Sequence, residues 1–445
     1  MSFFNFLYWF SLFTLLITTF ICFRSILNPI SIFVVWWYSF MLLGRQSWTG
    51  LYLPKDFTYV LIMSSIWGYS IGFMISHKAV KCYSYLHDVS FWSIFDNKKS
   101  VRLIRILFII ALVFILSNAF RVRNLLSIFS PSELRSMLVE TQQNVLWGSF
   151  YMVIFRDFIL VPSVYVFSSV FMYRYYYFNK YSDLLFVGLS FIAFLLVDMT
   201  ALSRGITFLF LIVFFIVSFY SKKIRPCENK HKFSYLTNGL FLALCFIFAA
   251  FILGFITLLR IGGNITDQGI VATKYFSQPF VLFDMRDKVI PTHNKFIGSL
   301  SLGGINTILL LLVRKFGFEG WNTWLSAGGY DIQKFLRVGI SAKANAHYTW
   351  CLPFYTDLGW IGVLIIPLCY GLLIGYLYKK SIGQKSIGFL IAFAFGHAFA
   401  LMGIQTWRLQ EVGPTLLMLA LLFLSRRRPA KYKIYSNMLP YEKQL

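Results

Sequence analysis

The sequence predicts an all-α polytopic membrane protein of about eleven transmembrane helices with one large extramembrane cap. Three observations carry that prediction. Hydrophobic residues make up 58% of the 445 positions and charged residues only 13%, where a soluble domain carries about 25% charged residues. Apolar runs of membrane-spanning length recur along the chain, joined mostly by short loops. One stretch, residues 261–350, interrupts them near the C-terminal end. A bilayer core about 30 Å thick needs roughly 20 apolar residues per helix. The 261–350 stretch is too polar and too rich in Gly and Pro to supply several more spans, so it is expected to fold outside the membrane and to carry chemistry.

Taken in order, the spans fall at 4–23, 28–44, 58–76, 104–120, 149–172, 184–201, 205–220, 237–259, 352–378, 386–403 and 413–425. The first lacks a basic leader and a small-residue cleavage site and reads as a retained helix. The chain thus divides into helices 1–8 over 1–260, the large loop over 261–350, helices 9–11 over 351–425 and a basic tail over 426–445. Lys and Arg favour cytoplasmic loops. Most lie in one alternate set of loops, which includes Arg24, Lys78, Lys98, Lys99, Arg102, Lys222, Lys223, Lys379 and Arg426. The other set holds fewer, among them Arg45, Lys55, Arg121, Arg123, Arg135, Arg204, Arg260 and Arg408. The N-terminus is therefore expected outside, the C-terminus inside, and the cap in the periplasm or at the cell exterior. No self-similar halves appear, which weighs against a secondary transporter built from repeats.

A net charge of +24 would suggest nucleic acid in a soluble protein. Here the basic residues sit in loops, so anionic lipid head groups and lipid-linked phosphates are the expected partners. Six scattered cysteines without CxxC spacing argue for neither a disulfide framework nor a metal site. Phosphate-binding glycine loops, HExxH and GxSxG are absent, and no cofactor is implied.

An arginine stands beside almost every helix end on the outward side: Arg45, Arg121, Arg123, Arg204, Arg260 and Arg408, with Arg286 and Arg337 in the cap. Arginine grips phosphate oxygens bidentately and stays charged when half buried; snorkelling toward lipid head groups is the ordinary alternative. Three stand apart. Arg204 lies in the tight turn Leu202-Ser-Arg-Gly205, Arg260 opens the cap, and Arg408 is flanked by Gln405, Trp407, Gln410 and Glu411. His347, just before the ninth span, puts an imidazole at the membrane surface, where a base is useful. Asp357 opens that span; an acid at the edge of hydrocarbon is costly unless paired, so it is expected to neutralise an arginine. Asp284 and Asp287 are two acids in the cap, too few to argue for coordination. Arg156 and Asp157 lie inside the fifth span and, as adjacent residues do not share a helix face, are expected to contact different partners.

Asn28-Pro-Ile-Ser-Ile-Phe33, Leu202-Ser-Arg-Gly205 and above all the run from Pro353 to Gly371, with its Phe354-Tyr-x-Asp357-x-Gly359-x-x-Gly362 pattern, resemble the Wzy-type O-antigen polymerases. The resemblance covers nearly the whole chain as hydropathy and loop layout. It implies a C-type glycosyltransferase architecture that joins undecaprenyl-pyrophosphate-linked oligosaccharide repeat units on the periplasmic face of the bacterial inner membrane. It leaves room for a chain-length regulator as a partner. By this resemblance Arg204 and Arg260 match arginines that hold the pyrophosphate, and His347 lies where the related ligases place a histidine near the acceptor. Arg408 joins the arginines on position and charge. His347, Asp357 and Asp287 are the alternatives for orienting or deprotonating the acceptor, without a metal. An O-antigen ligase and a flippase or exporter of the same glycolipids are the rival readings.

Overall fold

In the computed structural model, the described residues are 3–46, 50–80, 91–129, 134, 149–178, 181–200, 205–224, 268–288, 298, 300–315, 336–340, 343–344 and 348–426. They form an all-α membrane protein with six helices long and apolar enough to cross a bilayer and four shorter apolar ones. In order these are α1 (Phe3–Phe23), α2 (Pro29–Gly44), α3 (Asp56–Ala79), α4 (Lys98–Leu126), α5 (Phe150–Phe155 continuing through a π-turn, Arg156–Leu160, into Val161–Phe178), α6 (Tyr181–Thr200) and α7 (Gly205–Ile224). There follow α8 (Gln268–Asp284) and α9 (Gly303–Lys315), both within 261–350, then α10 (Cys351–Gly383), α11 (Ile387–Met402) and α12 (Val412–Leu424). The predicted span 237–259 lies outside the described residues.

Helix starts are written in the sequence. Asn28 precedes Pro29, and its side chain accepts from Ser31 N at 2.9 Å, satisfying one of the orphan N–H groups that a helix N-terminus leaves. The bundle is held at its centre by α3 and α10. Each carries a Gly-x-x-x-Gly step, Gly68/Gly72 and Gly371/Gly375. A Cβ at Gly68 or Gly72 would strike the carbonyls of Leu364 or Leu368, and one at Gly371 or Gly375 those of Tyr69 or Phe73. Small residues let helix backbones touch where lipid offers no hydrophobic drive. The paired numbers rise together, so the two helices run parallel.

The ninth predicted span, 352–378, is not one rod. At Gly359 the backbone takes φ 64° and ψ −149°, a conformation only glycine adopts without strain. Residues 351–358 fold back on 360–383, so that Phe354 O lies against Gly362, although eight residues of continuous helix span about 12 Å. Trp350, ahead of the short limb, is thereby inserted into the bundle. Its indole donates to Ser65 Oγ at 2.9 Å, its N–H donates to Gly403 O at 2.7 Å, and its rings lie 5.1 Å from Trp37.

Two helices of the 261–350 stretch also rest on the bundle. Phe276 of α8 stacks on Phe40 at 4.5 Å, and Gly303 and Gly304 of α9 meet Gln410, Glu411 and Thr415. Tyr52 N donates to Val338 O at 2.8 Å, beside the two-residue strands β1 (Leu336–Arg337) and β2 (Lys343–Ala344). These contacts gather residues 50–56, 300–304, 336–340 and 403–412 at one end of the molecule, the cap end. At the opposite end Phe91 N donates to Arg426 O at 3.2 Å, and Arg105 pairs with Asp183.

Candidate functional site

A polar cluster at the cap end is built where α5, α6, α7 and α12 meet. Asp198, near the end of α6, is fully buried. Its carboxylate accepts from Ile206 N at 3.3 Å and Thr207 N at 2.7 Å, so it caps the start of α7. The Arg408 guanidinium lies directly over Gly205: a Cβ there would sit 2.5 Å from Arg408 Nη2. A side chain at 205 would displace the end of the arginine. Arg408 is itself buried and pairs with Glu411 at 2.8 Å. Tyr165 lies within coulombic reach of Arg408, Glu411 and Asp198. Arg408 is thereby placed beside Gly205. Arg204 itself, like Arg260 and His347, lies outside the described residues.

Asp357 sits at the tip of the short limb of α10, buried. Its two oxygens accept from Leu300 N at 3.1 Å and Ser301 N at 2.7 Å. Both donors are main-chain amides of the 261–350 stretch. Trp407 reaches the same place from the other side, its indole donating to Ser301 O at 2.7 Å.

The two cap acids have separate fates. Asp284 accepts from Lys55 N at 3.1 Å and Thr58 Oγ1 at 2.5 Å, and so fixes the start of α3. Asp287 is exposed. Arg286 is buried with its guanidinium 4.7 Å from the Tyr355 ring centre, a cation–π placement. Arg45 pairs with Asp56 at 3.1 Å and covers the Phe4 ring at 3.9 Å; Arg121, Arg123 and Arg337 are exposed. Tyr348, next to His347, is buried, and burial alone pushes its phenol up to about 12.

Arg156 and Asp157 pair with one another at 2.7 and 2.9 Å, which corrects the expectation of different partners. They open the π-turn of α5; the wider turn and the long Arg156 side chain let the guanidinium curl back onto its neighbour, and such turns are frequent at functional sites. Sequence reasoning missed Asp198. An acid inside an apolar span is costly, and that signal was available.

No family model matches this chain, and no curated protein and no solved structure is significantly similar to it. Fold and site define a multi-pass all-α membrane protein with buried Asp198 and Arg408, the latter paired with the exposed Glu411, at one end of its bundle.

Proposed function

We propose that this protein is a polymerase of lipid-linked oligosaccharide repeat units, with eleven spans, the N-terminus outside, the C-terminus inside and the cap end in the periplasm. The observation that supports the reading is the Arg408 guanidinium lying over Gly205, the residue that follows Arg204 in sequence. Arg260 completes the set in the resemblance.

In this mechanism the undecaprenyl pyrophosphate sits among these arginines at the membrane surface, and its sugar projects under the cap. An acceptor hydroxyl attacks the anomeric carbon. The new C–O bond forms as the bond from that carbon to the phosphate oxygen breaks, and polyprenyl pyrophosphate leaves with the electron pair. The hydroxyl proton passes to a base, for which His347 and Asp287 are the candidates, since both Asp357 oxygens already accept amide protons. Fixed positive charge aimed at the leaving group stabilises charge developing in the transition state, each such donor contributing about 3 kcal/mol.

Loss of the gene tests the reading. A polymerase mutant caps its lipid core with single repeat units. Accumulation of finished polymer on the undecaprenyl carrier would identify a ligase instead, and repeat units stranded inside the cell a flippase.

A further inference from the structure

We propose that Asp357 and Trp407 are positioning residues: together they clamp the turn ahead of α9 and thereby set the placement of Arg408. The consequence for catalysis rests on the pyrophosphate reading above; the clamp itself does not.

Two buried side chains from separate hairpins converge on one dipeptide. Asp357 takes the N–H groups of Leu300 and Ser301, and Trp407 donates to the carbonyl of Ser301. Carboxylate bonds to main-chain N–H are charge-assisted and about twice as strong as neutral ones. The gripped turn is also bonded internally, Leu302 N to Gly298 O at 3.2 Å and Asn306 Nδ2 to Gly298 O at 2.9 Å, so it responds as a unit. Trp407 and Arg408 are adjacent in a turn closed by Gln410 N to Trp407 O and Glu411 N to Arg408 O. Holding Trp407 therefore holds Arg408. A second contact reinforces the first. Gly303 and Gly304 lie flush on Gln410, Glu411 and Thr415, and a Cβ at 304 would overlap Thr415 Oγ1 and Glu411 O. Asp357 stands two residues before the reversal at Gly359, so the fold-back of α10 is what delivers the carboxylate to this turn.

The test uses full-length protein in detergent or nanodiscs, with amide hydrogen exchange and steady-state extension of lipid-linked repeats. In wild type, the amides of Leu300 and Ser301 exchange slowly. In Asp357→Asn, which leaves one good acceptor for two donors, and in Trp407→Phe, which keeps the ring and loses the donor, exchange is expected to rise about tenfold or more over 298–304. It is expected to rise over 404–411 as well. Extension falls about tenfold in kcat with an unchanged pH profile. Gly304→Ala, which pries the same contact from the other side, gives the same pattern, and combined with Asp357→Asn it is less than additive. Faster exchange confined to 298–304, with normal exchange over 404–411 and a normal rate, would overturn the proposal. So would a limb of the pH profile lost in Asp357→Asn, which would mean that Asp357 reacts. Should Asp357→Asn fail to fold, Trp407→Phe and Gly304→Ala carry the same comparison. If wild-type protein extends nothing, the polymerase reading fails, and coupling of exchange between the two segments still decides the clamp.

Discussion

The two ends of the bundle treat a buried acid differently. At the opposite end Asp183 is fully buried between Arg105 at 2.5 Å and Arg174 at 3.2 Å, and Arg174 also donates to Phe95 O. This ion triad ties α4, α5, α6 and the turn at Phe91–Asp96 to one another, side chain to side chain. At the cap end buried Asp198 and Asp357, and half-buried Asp284, spend oxygens on main-chain N–H groups, those of Thr207, Ser301 and Lys55. The first arrangement locks helices; the second shapes turns. Charge at one end therefore serves the scaffold, and at the other it moulds the loops around Arg408.

Breaking the triad gives the largest expected effect. Asp183→Ala leaves two arginines facing each other without their shared counter-charge, a class of change that costs about 3–5 kcal/mol. Arg105 is partly exposed, which holds the cost to the lower part of that range. Thermal unfolding in detergent reads it, with activity per folded molecule retained. An unshifted midpoint would remove the scaffold role.

At the cap end the expected effect falls on rate. Replacing Arg204, Arg260 or Arg408 by Lys keeps the charge but loses the planar fork of donors, and activity is expected to drop about a hundredfold with little change in stability. Lys274 and Arg135 serve as controls whose substitution leaves lipopolysaccharide ladders near normal. Wild-type ladders from all three Lys variants would sink the pyrophosphate assignment and return these arginines to snorkelling.

Most span positions were legible in sequence because apolar length and capping residues mark them: 28–44 is observed as Pro29–Gly44 behind Asn28, and 386–403 as Ile387–Met402 behind Ser386. The reversal at Gly359 was not. Leu358 and Trp360 continue the apolar run across it, and composition does not register a sign change in φ. The α9 leucines likewise gave no warning that Gly303 and Gly304 seat that helix on Glu411 and Thr415. In the site, Gly205 is legible in sequence as part of a Ser-Arg-Gly motif, but its neighbour, an arginine about two hundred residues away, is a tertiary fact. The amide partners of Asp357 are of the same kind, since any main-chain N–H looks alike in sequence.

Smaller effects sharpen the contrast. Asn28→Ala removes the cap of α2 at the end opposite the site and is expected to cost about 1 kcal/mol, again in stability alone. Removal of divalent ions with EDTA is expected to leave extension unchanged, because the cap-end carboxylates Asp198, Asp284 and Asp357 are engaged with N–H donors. Inhibition reversed by added divalent ions would mean that acids there, with Asp284 and Asp287 the first to examine, change partners in the working enzyme.

The most direct measurement is made on purified protein in liposomes supplied with radiolabelled, pyrophosphate-linked repeat units and no other protein. The account predicts a ladder of products growing by one repeat, with one polyprenyl pyrophosphate released per bond formed, both slowed together about a hundredfold in the Arg408→Lys variant. Movement of intact repeat units across the bilayer with no growth and no released pyrophosphate would contradict it.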